Sequence, residues 1–166
     1  LHVDPKSPAD NVCMKITPGE TFTNIYDIPK DHPFGTYWYH PHKHGSVALQ
    51  VGSGMAGMII VRGEFDDILN EMEIKEYHLI FQSIAVDNTG TVETQDQVAR
   101  FPNSEYNITA NGQFCPIISC FPGEVINLRF LNATTRSGLD FSLPPYAELF
   151  TYSVDGNPLE NYYEND

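Results

Sequence analysis

Three histidines at alternate positions, His40, His42 and His44, stand directly behind an aromatic run, Tyr37-Trp38-Tyr39, in the stretch TYWYHPHKHGSVALQVGSGMAGMIIV. Imidazole is a neutral nitrogen donor that ligates copper, zinc, iron and nickel. Alternate residues of an extended strand point to one face. His40 and His42 can therefore aim two imidazoles the same way, with backbones roughly 6.6 Å apart. Pro41 between them cannot donate to a strand ladder, which places the pair at a strand end or edge, where a site can open. His44 shares that face only if the strand runs on beyond Pro41, and Gly45-Ser46 argue that it stops. Two histidines leave a metal ion under-coordinated, so other ligands must come from elsewhere. The structural alternative is three histidines that decorate a loop. His32, in the polar turn Lys30-Asp31-His32-Pro33, and His78 are isolated in sequence and read as structural.

Other chemistries leave no trace. A blue-copper site needs a Cys with two His, and none of Cys13, Cys115 and Cys120 has a neighbouring His. A Ser-His-Asp pattern, a Gly-rich phosphate loop and a CxxC pair are all missing. Three cysteines cannot all pair. If residues 115 to 120 form one strand, the ends lie ~16 Å apart, beyond the ~7 Å limit of a disulfide. Buried or half-buried thiols are expected.

The elements that must hold the histidines are strands. The chain has 166 residues, 41% of them hydrophobic, enough for one domain or two small ones. A net charge of −13 excludes a nucleic-acid partner, which needs a basic footprint. The longest apolar run, Met55 to Val61, is far too short to span a bilayer. Apolar runs at Gly35–Tyr39, Met58–Val61, Tyr77–Val86, Asn107–Ala110, Pro116–Ser119, Val125–Asn132, Asp140–Leu143 and Leu149–Val154 predict short strands, and Thr21–Ile28 joins them. Asn111-Gly112, Pro122-Gly123 and Asp155-Gly156 punctuate them as turns. Glu64–Glu76 is acidic and reads as a linker with one helical turn. The expectation is an all-β protein of two sandwiches: residues 1–64, a linker over 65–76, and residues 77–166. The opening Leu-His-Val reads like mid-strand and the chain closes soon after a strand and turn, so both domains read as incomplete pieces of a longer protein.

At this point a family is recognisable. The run FGTYWYHPHKHGSVALQVGSGMAGMIIV resembles the second copper motif of the multicopper oxidases, in the His-Pro-His-x-His-Gly form of bacterial laccase-like members. PGETFTNIYDIP resembles the family's strand and turn before it. ITANGQ, PGEVINLRFLNA and YSVDG resemble successive strands of the second cupredoxin domain, so the likeness covers most of the chain. The resemblance implies two Greek-key cupredoxin-like sandwiches. It implies that His40 and His42 each bind one copper of a type 3 pair within a trinuclear cluster. Asp10, in Ala9-Asp10-Asn11, resembles the family's acid near that cluster, which relays protons to reduced oxygen; the alternative is a turn residue. His2 follows the place of the family's first His-x-His-Gly motif, which is missing, and no ligand role is carried onto it.

The implied activity is a copper-dependent oxidase. It would couple one-electron oxidation of a phenol, diamine or metal ion to reduction of dioxygen to water. The type 1 copper and remaining cluster ligands would belong to a third cupredoxin domain that is absent here, so this chain alone is expected to be inactive. The family also implies a periplasmic or secreted location. Tyr37, Trp38 and Tyr39 are expected to pack between strands, Met55 and Met58 to fill the core, and Gly54 and Gly57 to admit close backbone approach. Two other readings compete. A cupin-type metal enzyme would need a Glu shortly after the histidines, and Gly45 to Gly57 holds none. A non-catalytic copper-binding or structural cupredoxin module remains the alternative.

Overall fold

The computed structural model describes residues 3–84, 89, 107–135 and 138–164. Seven strands and two short helices form there, in keeping with the all-β expectation. Strand β1 (Gly35–Tyr39) is rich in aromatic residues, which suit a pleated surface. It stops just before Pro41 and pairs antiparallel with β2 (Gly57–Val61), Tyr37 opposite Ile59. Between them lies helix α1 (Val47–Gly52), which the sequence reading missed. Its only buried residue is Val51, and at six residues it is too short for periodicity to reveal. Gly54 takes a left-handed φ of 95° just beyond the helix. Its carbonyl accepts a hydrogen bond from Gln82 Nε2 at 3.0 Å.

The acidic stretch 64–76 is ordered along most of its length. Helix α2 (Glu64–Glu71) fills two turns, with Glu64, Asp66 and Asp67 in the first, where negative charge complements the helix dipole. Asp66 Oδ2 accepts from the Gly63 amide at 2.9 Å. Strand β3 (Lys75–Ile84) then runs through the centre of a three-stranded sheet. It pairs antiparallel with β4 (Asn107–Ala110) and parallel with β5 (Ile126–Asn132), His78 opposite Arg129. The Asn111-Gly112 turn has both residues at positive φ, as a tight primed turn requires. The Asn111 side chain extends the ladder by bonding the Ile80 amide at 2.9 Å and the His78 carbonyl at 2.8 Å. Strands β6 (Phe150–Val154) and β7 (Asn157–Glu164) form a hairpin around Asp155-Gly156, again both at positive φ.

Several expected strands do not form. Residues 21–28, 116–119 and 140–143 are irregular. Among the described residues no strand pairs with them, although the Ile25 amide donates to the Pro8 carbonyl at 3.0 Å. The loop 111–125 exposes Phe114, Ile117 and Phe121. Cys115 and Cys120 sit in the same loop, and all three thiols are exposed, against the expectation of burial. Met55 is also exposed rather than core filling.

Among the described residues apolar packing is thin, and the buried apolar residues are Ala9, Val51, Ala110 and Ala133. Phe81, Phe130 and Phe141 form an aromatic cluster with centroids 4.7 to 5.7 Å apart. A buried polar cluster also joins the elements. Arg129 of β5 is 4% exposed; its Nε bonds Glu76 Oε2 at 2.7 Å, its Nη1 the Thr36 hydroxyl at 3.0 Å and its Nη2 Asp66 Oδ1. Arg62 also reaches Asp66, at 3.1 Å, and Glu76, at 2.7 Å. Asn127 donates to Glu76 at 2.8 Å and accepts from the Tyr152 hydroxyl at 2.9 Å. One cluster thus joins β1, β3, β5, β6 and α2.

Burial pushes the Glu76 carboxyl up, but hydrogen bonds from Arg62, His78 and Arg129 outweigh it and hold the group at about 2 against an ordinary 4.5. A carboxylate depressed by folding stabilises the native state above its unfolded pKa and stops doing so once both states are protonated. The contribution, roughly 3 kcal/mol, is therefore full above pH 4.5 and lost as pH falls towards 2. Chemical denaturation at pH 6 and pH 3 should show this slope, and Glu76→Gln should remove its share of it.

Candidate metal centre

Strand β1 delivers the histidines. Thr36, Trp38 and His40 alternate along one side of it, Gly35, Tyr37 and Tyr39 along the other. The two sides are held differently. Gly35 admits the β6–β7 turn so closely that a Cβ there would lie 2.2 Å from the Gly156 carbonyl oxygen. The Tyr37 hydroxyl bonds the Pro33 carbonyl at 2.9 Å, and its ring meets His32 edge-on at 5.1 Å. Tyr39 lies over Gly57, where a Cβ would come within 2.3 Å of its ring. This is the close approach expected of that glycine, although the neighbour is a side chain. Trp38 and Tyr39 remain partly exposed, 40% and 58%, instead of packing between strands.

On the other side Trp38 stacks on His40, with centroids 4.1 Å apart and planes 26° from parallel. His40 is half-buried, and its Nδ1 lies 2.9 Å from the Pro41 carbonyl oxygen. A carbonyl only accepts, so Nδ1 carries the proton in the neutral ring and Nε2 keeps its lone pair. Metal-bound histidines are oriented in this way, by donating their second nitrogen to a backbone oxygen. The His42 ring is exposed, 6.0 Å from that of His40. The His44 ring meets His42 edge-on at 5.4 Å, but its residue already belongs to the turn leading into α1. The structure thus brings the three imidazoles into one row, with a stacking partner and a backbone acceptor for the first alone.

Asp10 is exposed and is not joined to the imidazoles by any described hydrogen bond or ion pair. Burial and, secondarily, the Asp10 carboxylate raise the Tyr26 hydroxyl above its ordinary value. The turn at this point is made by Asn11, whose Oδ1 accepts the Cys13 amide at 3.1 Å. His32 bonds the Pro33 carbonyl at 2.7 Å and His78 bonds Glu76 Oε1 at 2.5 Å, both structural contacts. His2 lies outside the described residues. Among the described residues, no group of three or more His, Cys, Asp or Glu side chains is placed to hold a metal ion. Sequence reading missed the Trp38 stack and the Arg129 cluster. The signal for the second was a lone arginine inside the strand run INLRFLN, between residues that face the interior.

The multicopper oxidase family model matches residues 7–65, the segment that contains all three histidines. Cell division protein FtsP of Salmonella typhimurium is 27% identical over 131 residues, which is 77% of this chain and 27% of that protein. FtsP of Shigella dysenteriae is 28% identical over the same length. The multicopper oxidase McoA of Aquifex aeolicus superposes with a TM-score of 0.67 at 24% identity, over 91% of this chain and 34% of its own. A variant of McoA superposes at 0.69. The chain therefore spans about a quarter to a third of the length of these proteins, by the shares of 27% and 34%. Over residues 7–65 the chain matches the multicopper oxidase family model, and over nearly its whole length it shares the cupredoxin-like fold of McoA.

Proposed function

We propose that His40 and His42 are copper ligands of an oxidase of which this chain is a part, each binding one copper of a type 3 pair. The observation that carries this reading is the His-x-His row inside the matched segment. Its half-buried member, His40, has Nδ1 engaged by the Pro41 carbonyl, which leaves the Nε2 lone pair as the donor for a metal. Neutral imidazole suits copper, the two rings stand with centroids 6.0 Å apart, and the assignment of each to its own copper rests on the family likeness. Bound copper would supply the one-electron chemistry that takes electrons from a phenol, diamine or metal ion and passes them to dioxygen. The chain's own part is to hold and orient. Pro41 fixes the tautomer of His40, Trp38 fixes its plane, and Asp10 is proposed as the acid that hands protons to reduced oxygen. His44 is not assigned as a ligand.

The same reading divides the chain into the later part of a first cupredoxin domain, residues 1–64, and much of a second, residues 77–166, joined through 65–76. A third domain of the parent would hold the type 1 copper. No helix among the described residues is long and apolar enough to cross a membrane; we propose a periplasmic or secreted setting from the family likeness. A purified 166-residue chain should bind Cu(II) weakly and show no turnover. Steady oxidation of a phenolic or diamine substrate by it would overturn that expectation.

One observation favours a second reading, a non-catalytic cupredoxin module: the curated relatives are described as cell division proteins. Copper content and oxygen uptake of the intact protein separate the two. Stoichiometric copper with substrate-dependent oxygen uptake supports the oxidase; copper without uptake supports a copper-binding module, and no copper a structural one.

A further inference from the structure

We infer that Arg129 is a positioning residue for the histidine strand, acting through Thr36. The two-stranded β1–β2 sheet is too small to fix its own placement. What it rests on must therefore set where the histidines stand. On the His40 side of β1, the described side-chain hydrogen bond to the three-stranded sheet is the one from Arg129 Nη1 to Thr36 Oγ1, at 3.0 Å. Thr36, Trp38 and His40 share that side of the strand. The guanidinium is itself immobile. It is 4% exposed and forked across Glu76 of β3 and Asp66 of α2, and Asp66 is clamped in turn by Arg62 and the Gly63 amide.

Geometry and energetics both point to placement rather than stability. A buried ion cluster gains little over apolar residues of the same volume, because desolvation offsets the attraction. It does, however, impose one arrangement. Arginine's planar fork can meet three partners at fixed angles, which an ammonium on a flexible stem cannot. The cluster converts the rigidity of β3 and β5 into a fixed height and tilt of β1. The Trp38–His40 stack, 4.1 Å between centroids, is what that fixed strand presents. The consequence for copper rests on the ligand role proposed for His40.

Thr36→Val tests this on the full chain. It keeps the side-chain shape, removes the acceptor and leaves both carboxylates paired with Arg129. Trp38 is the sole tryptophan, so its near-ultraviolet circular dichroism reports the stack without metal, and its fluorescence quenching reports Cu(II) binding. Thr36→Val should keep the far-ultraviolet spectrum, lose most of the Trp38 band and bind Cu(II) about tenfold more weakly, the usual scale for groups behind a metal ligand. Thr36→Ser should restore both signals. Arg129→Lys should behave like Thr36→Val. Wild-type Trp38 signal in Thr36→Val would overturn the positioning role whatever copper does. If His40→Ala left Cu(II) affinity unchanged, the ligand assignment would fall, and the metal-free Trp38 signal would still decide the role of Arg129.

Discussion

Replacing His40 or His42 by alanine in the intact parent protein should abolish dioxygen reduction while the blue colour of its type 1 copper persists. In the proposed reading each imidazole serves a different copper of one cluster, so either loss would remove a metal needed in the same step. Metal-ion stabilisation of developing charge is worth several kcal/mol, which puts the fall in rate at ~10³-fold or more. Substrate-dependent oxygen uptake and the visible spectrum are the two measurements. Normal uptake in either variant would sink the ligand assignment. His44→Ala is the control: its residue lies in the turn before α1, and it should keep most of the activity.

Arg129→Met should be strongly destabilising, because it strands the carboxylates that the intact cluster satisfies. It would leave Asp66 and Glu76, 3% and 16% exposed, facing one another with Arg62 as their remaining guanidinium partner. Removing one member of a buried pair costs about 3–5 kcal/mol, a large part of a total of about 5–15 kcal/mol. For a chain of this size the melting temperature should fall by about 10 °C. Breaking the exposed Lys75–Glu124 pair by Lys75→Met should barely move it. Thermal melts of the two variants side by side make the comparison, and equal shifts would show that the buried cluster carries no special weight.

What could be read from the sequence was what is local in it. Gly35–Tyr39 and Asn107–Ala110 form strands within their expected bounds. The turns at Asn111-Gly112 and Asp155-Gly156 follow from residues that tolerate positive φ. The histidine motif was legible for the same reason, since five residues contain it. Helices of six and eight residues carry too little periodicity to announce themselves. Thr21–Ile28 has the composition of a strand, but a strand also needs a ladder partner, which composition does not reveal. The Arg129 cluster was invisible because Thr36, Asp66 and Glu76 lie 93, 63 and 53 residues away along the chain.

Those separations set the order in which the molecule can assemble. The β6–β7 hairpin, and β1 with β2, close short loops and can form early. Strands β3 and β5 pair in parallel, Lys75 with Ile126, and must wait for a loop of about fifty residues to close. Until they do, Arg129 stays in water with its charge solvated, and the carboxylates that await it remain open to screening by salt. The ion cluster is therefore a late event, sealing strand pairings that have already been made. The histidine strand can exist before that moment, but it acquires its final place only when a contact between residues 93 apart along the chain has formed.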